Sequence, residues 1–152
     1  MLSVLMLTAL MLPSLLPGVE CFALGSPTEE LRGSKAVFAG KVIGRKYITD
    51  NLSGVGTPGQ RLLIRLQVER VWKGEIGEEV LMYTSRMRQP NGLDSIMAND
   101  FSFKDGQRYL VYAGGTLERL STSACTRSRE LGKAGDDLKE LGEGHEPIRK
   151  KK

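Results

Sequence analysis

The sequence predicts a mainly β domain: five antiparallel strands curled into a small closed or nearly closed barrel, between a short N-terminal helix and a C-terminal helix. Three observations point there. Residues 61–74, RLLIRLQVERVWKG, alternate with period two, with Leu62, Ile64, Leu66 and Val68 on one face and the mostly polar Leu63, Arg65, Gln67 and Glu69 on the other. Gly40 and Gly44 interrupt the strand-forming run 35–49, as bulges and tight bends in a curved sheet require. Strands do not alternate with helices, and no internal repeat occurs.

SPTEELRG, 26–33, reads as a helix that Ser26 or Thr28 can cap, with Glu29 and Glu30 in its first turn and Gly33 as its stop. The first strand is 35–49. Residues 50–60, rich in Gly, Asp, Asn and Pro, form a loop. The second strand is 61–74, and KGEIGEE turns the chain into the third, VLMYTSR, 80–86. Residues 87–106 read as long and irregular, with turn signals at Pro90-Asn91-Gly92 and Lys104-Asp105-Gly106. QRYLVYAG, 107–114, and LERLSTSAC, 117–125, are the fourth and fifth strands. Over 130–141 Leu131, Ala134, Leu138 and Leu141 share a helical face, weakened by Gly132 and Gly135 and ended by Gly142.

At 152 residues the chain can hold one domain with a real core. Its formal net charge of +4 is partly the tail RKKK at 149–152, too little for the basic stripe of a nucleic-acid binder. The first 18 residues carry no charged side chain, and all 22 Lys and Arg come later. The apolar run ends at Leu12 before Pro13, a length that suits a signal peptide and is short for a membrane span. A buried helix and an uncleaved anchor are the alternatives. Cleavage after Gly18 gives a mature chain starting at Val19, and Glu20 before Cys21 argues against a lipoprotein. The chain therefore divides into a signal peptide (1–18), a folded domain (19–142) and a basic, disordered tail (143–152), destined for a secreted or extracytoplasmic location.

Catalytic chemistry is poorly represented. The single His145 lies in the tail, so the folded part offers no histidine-based triad. The two cysteines, Cys21 and Cys125, are far apart without a histidine partner, so the chain offers no metal site of its own and no cofactor is expected. No phosphate-binding loop occurs. Glu78-Glu79 and Asp136-Asp137 are adjacent in sequence, face different ways and read as solvated surface. Phe38, Tyr109 and Tyr112 sit in strands among apolar neighbours and read as core, while Trp72 caps a strand end, so no base-stacking platform is expected. The sequence reads as a non-enzymatic monomer that binds no nucleic acid. Outside the reducing cytosol the two cysteines are expected to pair, with two buried thiols as the alternative. The bridge would close a loop of about 100 residues, worth up to ~4–5 kcal/mol in the chain-entropy model.

Four stretches, KAVFAGKV, LQVERVWKGEIGEEV, FSFKDGQRYLVYAG and LSTSACTRSREL, together resemble the bacterial relatives of the tissue inhibitors of metalloproteinases, in the netrin-like superfamily. The resemblance spans about residues 19–142 and implies a five-stranded OB-type barrel with flanking helices. The family begins Cys-x-Cys, where this chain reads Val19-Glu20-Cys21, and Asn99 of NDFSF stands where the family has another cysteine. The two cysteines that would have paired are both replaced, so the resemblance implies a surviving Cys21–Cys125 bridge and a mature N-terminus at Val19. In the animal inhibitors the N-terminal amine and carbonyl chelate the protease zinc and the second residue enters the specificity pocket. By that resemblance Val19, Glu20, Cys21 and Phe22, with loops 50–60 and 87–100, are the contact surface for a protein partner, a zinc metalloprotease. An extracellular module for saccharide or envelope components, using the barrel face, is the alternative reading.

Overall fold

The computed structural model of the chain describes residues 21–50 and 59–149. The predicted signal peptide, Val19, Glu20, residues 51–58 of the predicted loop and residues 150–152 of the tail lie outside the described residues.

Helix α1 spans Pro27–Gly33. Ser26 is its cap: the Ser26 hydroxyl accepts from the Glu29 amide, and the Glu29 carboxylate accepts from the Ser26 amide at 2.7 Å. Pro27 supplies a pre-set φ in the first turn. Thr28 instead faces the C-terminal helix, where its amide and hydroxyl donate to Glu140 Oε1.

The strands are β1 (Ala36–Asp50), β2 (Gly59–Lys73), β3 (Glu79–Arg88), β4 (Asp94–Ser95), β5 (Arg108–Thr116), β6 (Arg119–Ser121) and β7 (Arg129–Glu130). A 3-10 turn, Leu131–Lys133, leads into helix α2, Gly135–Leu141. β1 pairs with β2, β2 with β3, β3 with β6, β6 with β5, and β5 returns to β1, where Ala36 lies opposite Ala113. The sheet thus closes in a ring. The ring is not antiparallel throughout, as the sequence led one to expect: Met82 of β3 and Leu120 of β6 pair in parallel. An odd ring of five strands that alternate in direction must contain one like-directed pair. β1 shifts register at Ala39/Gly40 and Val42/Gly44, so its glycines do mark irregularities. A Cβ on Gly40 would stand 2.9 Å from the Gln67 carbonyl oxygen, so glycine lets β2 approach there.

Three expected segments differ. The fifth strand is only residues 119–121, because the hydroxyls of Thr122, Thr126 and Ser128 bond to one another and to Tyr112 backbone in place of a ladder. The helix expected over 130–141 is a short strand, a 3-10 turn and seven helical residues. The tail expected to be disordered is bound as far as it is described: Val71 and His145 exchange two backbone bonds of 2.8 Å, and the Ile148 amide donates to Ile76. It satisfies backbone groups at the end of β2 that the ring leaves over.

Inside the ring Leu62, Ile64, Leu66 and Val68 pack with Phe38, Val111, Met82 and Leu120, as the alternation predicted. Leu63, on the face read as polar, is buried too. A second cluster joins the outer face of β1 and β5 (Val37, Leu110, Tyr112) to Leu31 of α1 and to Leu131, Ala134, Leu138 and Leu141. Trp72 is half-buried against this cluster and donates to the Gly142 carbonyl at 2.9 Å, holding the end of α2. Among the described residues no helix is long and apolar enough to cross a membrane.

Candidate functional site

Cys21 and Cys125 are bonded, with their Cα atoms 5.2 Å apart. The bridge ties the extended segment before α1 to the turn after β6. Hydroxyls fix that turn. The Thr122 hydroxyl donates to the Tyr112 carbonyl at 2.9 Å, the Tyr112 amide donates to Ser128 Oγ at 2.8 Å, and the Cys125 amide donates to Ser123 Oγ at 3.2 Å.

Two residues past Cys125, Arg127 forms the anchor of the region. Its Nε and Nη2 meet the two carboxylate oxygens of Asp137 at 2.8 Å each, and Nη1 donates to the Gly25 carbonyl at 2.9 Å. The Tyr112 hydroxyl donates to the same carboxylate at 2.9 Å, and the Arg129 guanidinium stands 3.8 Å away. Burial works to raise the pKa of Asp137, but the bonds from Arg127 and Tyr112 and the charge of Arg129 outweigh it and hold the carboxyl below its usual range. Burial, then the bond to Asp137, pushes the Tyr112 phenol well up. Asp137 is therefore not the solvated surface residue that its pairing with Asp136 suggested: it is fully buried, while Asp136 is exposed. No periodic signal in the sequence marks this four-residue network.

The structure brings two of the three expected contact segments together. Phe22 is 99% exposed and Leu24 is exposed beside it. The end of the 87–100 loop lies against the Cys125 turn, where the Ala124 amide donates to the Asn99 carbonyl at 2.8 Å and Asp100 pairs with Ser123. Asp100 in turn accepts from the Ser85 amide and hydroxyl at 2.9 and 2.7 Å. The loop is less irregular than its sequence suggests, since β4 pairs with the end of β3, but its tip leaves Leu93, Ile96 and Met97 exposed. Val19 and Glu20 lie outside the described residues, and of the loop 50–60 only Asp50, Gly59 and Gln60 are described, at the ends of β1 and β2.

Beside the Asn99–Ala124 contact is a polar cleft of about 330 Å³, lined by Arg61, Tyr83, Ser85, Asn99, Arg119 and Ser123. The buried carboxylate of Asp50 pairs with Arg61 and, at 3.4 Å, with Arg119. Arg61 also donates to the Thr84 carbonyl at 2.8 Å, and Arg119 stacks 4.3 Å above the Tyr83 ring. Such a cleft presents hydroxyls, an amide and two oriented guanidinium groups. Among the described residues no three His, Cys, Asp or Glu side chains are placed to hold a metal ion. His145 is exposed, its Nδ1 2.8 Å from the Glu146 carbonyl oxygen.

No protein-family model matches the chain, and no curated protein matches it.

Proposed function

We propose that the chain is an exported, non-enzymatic module that binds a protein partner, built on an OB-type barrel, and that the partner is a zinc metalloprotease, as the resemblance implies. One observation carries the reading: the Cys21–Cys125 bond presents Phe22 in full exposure beside the Asn99–Ala124 contact, so two distant segments make one ridge. A solvent-facing aromatic on a covalently fixed segment is suited to fill a partner's pocket at little entropic cost. The five-strand ring, with helices packed on the outer face of β1 and β5, supports the OB-type assignment. The disulfide supports an oxidising, extracytoplasmic compartment. The monomeric state belongs to the same proposal.

The test is a titration of the chain beginning at Val19 against a panel of zinc metalloproteases, with Phe22→Ala alongside. Binding that Phe22→Ala weakens at least tenfold, with the melting temperature unchanged, supports the ridge. The second reading, a saccharide-binding module, is favoured by the polar cleft, whose hydroxyls and stacked Tyr83–Arg119 pair suit a sugar. Glycan binding that Arg119→Ala removes and Phe22→Ala leaves intact selects that reading.

A further inference from the structure

The ridge is fastened to the domain in two places of very different kind. At Gly25 the chain is held from both sides: its amide donates to Glu30 Oε1 at 3.1 Å, and its carbonyl accepts from Arg127 at 2.9 Å. Ser26 and the capping box follow at once. Ahead of Gly25, Cys21–Leu24 makes no hydrogen bond or ion pair among the described residues, and all four residues are exposed. Among the described residues the disulfide is then the one polar or covalent cross-link of that segment. Cys21 is exposed and Cys125 half-buried, so the bond can be approached from the Cys21 side. Exposed disulfides are the labile ones. The bridge stabilises by constraining the unfolded chain, and the folded core's contacts do not include it: neither cysteine belongs to the two apolar clusters, and Arg127, Asp137 and Gly25 are joined independently of it.

We infer that Cys21–Cys125 is a redox latch, whose reduction releases Cys21–Leu24 and switches the ridge off while the domain stays folded. The reductant is a dithiol. Its thiolate attacks Cys21 Sγ, the S–S bond breaks, and Cys125 leaves as a thiolate that takes up a proton. The second thiol of the reductant then attacks the mixed disulfide, closes its own ring and releases Cys21, which is protonated in turn. Two electrons and two protons pass to the protein. The hinge is Gly25, because the bonds to Glu30 and Arg127 survive the exchange. That the switch governs partner binding rests on the protein-binding reading; that the segment is released does not.

The experiment reduces the folded protein with millimolar dithiothreitol under native conditions, confirms two alkylatable thiols by intact mass, and measures near-UV circular dichroism and backbone order parameters. The expected result is that the near-UV bands of Trp72 and the tyrosines persist while the disulfide's own broad contribution is lost, with the order parameters of Phe22–Leu24 falling from about 0.85 to below about 0.6 while Gly25 and Arg127 keep their values. The double variant Cys21→Ser, Cys125→Ser reproduces the reduced state without reductant. Collapse of the near-UV spectrum on reduction overturns the inference, since the bridge would then be holding the fold. So does a bond that resists dithiothreitol until the protein unfolds. A partner-binding arm separates the two readings. If the reduced, folded protein with a mobile Phe22 binds the protease as tightly as the oxidised form, the latch stands and the ridge falls.

Discussion

Arg127 and Asp137 meet fork to fork, with two bonds of 2.8 Å between guanidinium and carboxylate, and the third arm of the same guanidinium reaches the Gly25 carbonyl. One arginine thus joins the turn after β6, helix α2 and the segment ahead of α1.

Removing one partner of a buried, hydrogen-bonded ion pair strands the other. Asp137→Ala should therefore cost about 3–5 kcal/mol, measured by urea unfolding at pH 7. The pH dependence has a definite sign. The folded pKa of Asp137 lies below its unfolded value of about 3.9, so its stabilisation is complete above that value and is lost as pH falls through the lower, folded one. The stability gap between the native chain and Asp137→Asn should be constant from pH 7 to about 5 and shrink below pH 4. A gap that stays the same down to pH 2 would show that the ionised carboxylate is not what stabilises the network.

Leu66 is fully buried inside the ring and its neighbour Gln67 is exposed. Leu66→Ala should lose about 2–5 kcal/mol, and Gln67→Ala less than about 0.5 kcal/mol. Equal small losses in denaturant titrations would refute the register of β2.

Gly115 and Gly114 make a matched pair at the β5–β6 hairpin. Gly115 has φ +91° and a Cβ there would run into the Arg119 carbonyl, whereas a Cβ on Gly114 meets nothing within 4 Å. Gly115→Ala should cost about 1–3 kcal/mol, and Gly114→Ala should be close to neutral in the same thermal melts.

Inhibition of a zinc protease by the N-terminal amine, the mechanism the resemblance implies, requires that amine to be deprotonated. Inhibition should weaken as pH falls below the α-amino pKa of about 7.7–8. One added alanine before Val19 should abolish it. Glu20→Thr should strengthen it, because a carboxylate entering an apolar pocket is costly to desolvate. Inhibition constants for the three forms check this, and an extended chain that inhibits undiminished would move the binding to the loops.

Alternation made the inner face of β2 readable, because Leu62, Ile64, Leu66 and Val68 meet the same environment two residues apart. The shared face of Leu131, Ala134, Leu138 and Leu141 was readable for the same reason at helical spacing. Leu63 broke the rule, being buried on the outer face. The turn 122–128 was misread because its serines and threonines act through hydroxyl bonds to Tyr112, which leave no hydrophobic period. Asp137 was misread because adjacency to Asp136 says nothing of Arg127 ten residues earlier. The bound segment 143–149 was hidden for a further reason: it pairs through backbone groups, and every residue has those. At the candidate site the Cys21–Cys125 pairing was readable from the expected compartment and from the resemblance, while the ties at Gly25 and Ser85 appear only in three dimensions.

The closing pairs of the ring lie far apart in the chain: Ala36 meets Ala113, and Met82 meets Leu120. Neither closure is local, so the ring is slow to form by the entropy of the loops it must draw together. β6 is short, late and sits between β3 and β5. A ribosome-bound or partly translocated chain lacking it can make the β1–β2–β3 meander but cannot shut the ring. Such a polypeptide keeps an open edge, and stays threadable, until Ser121 at the end of β6 is free to pair.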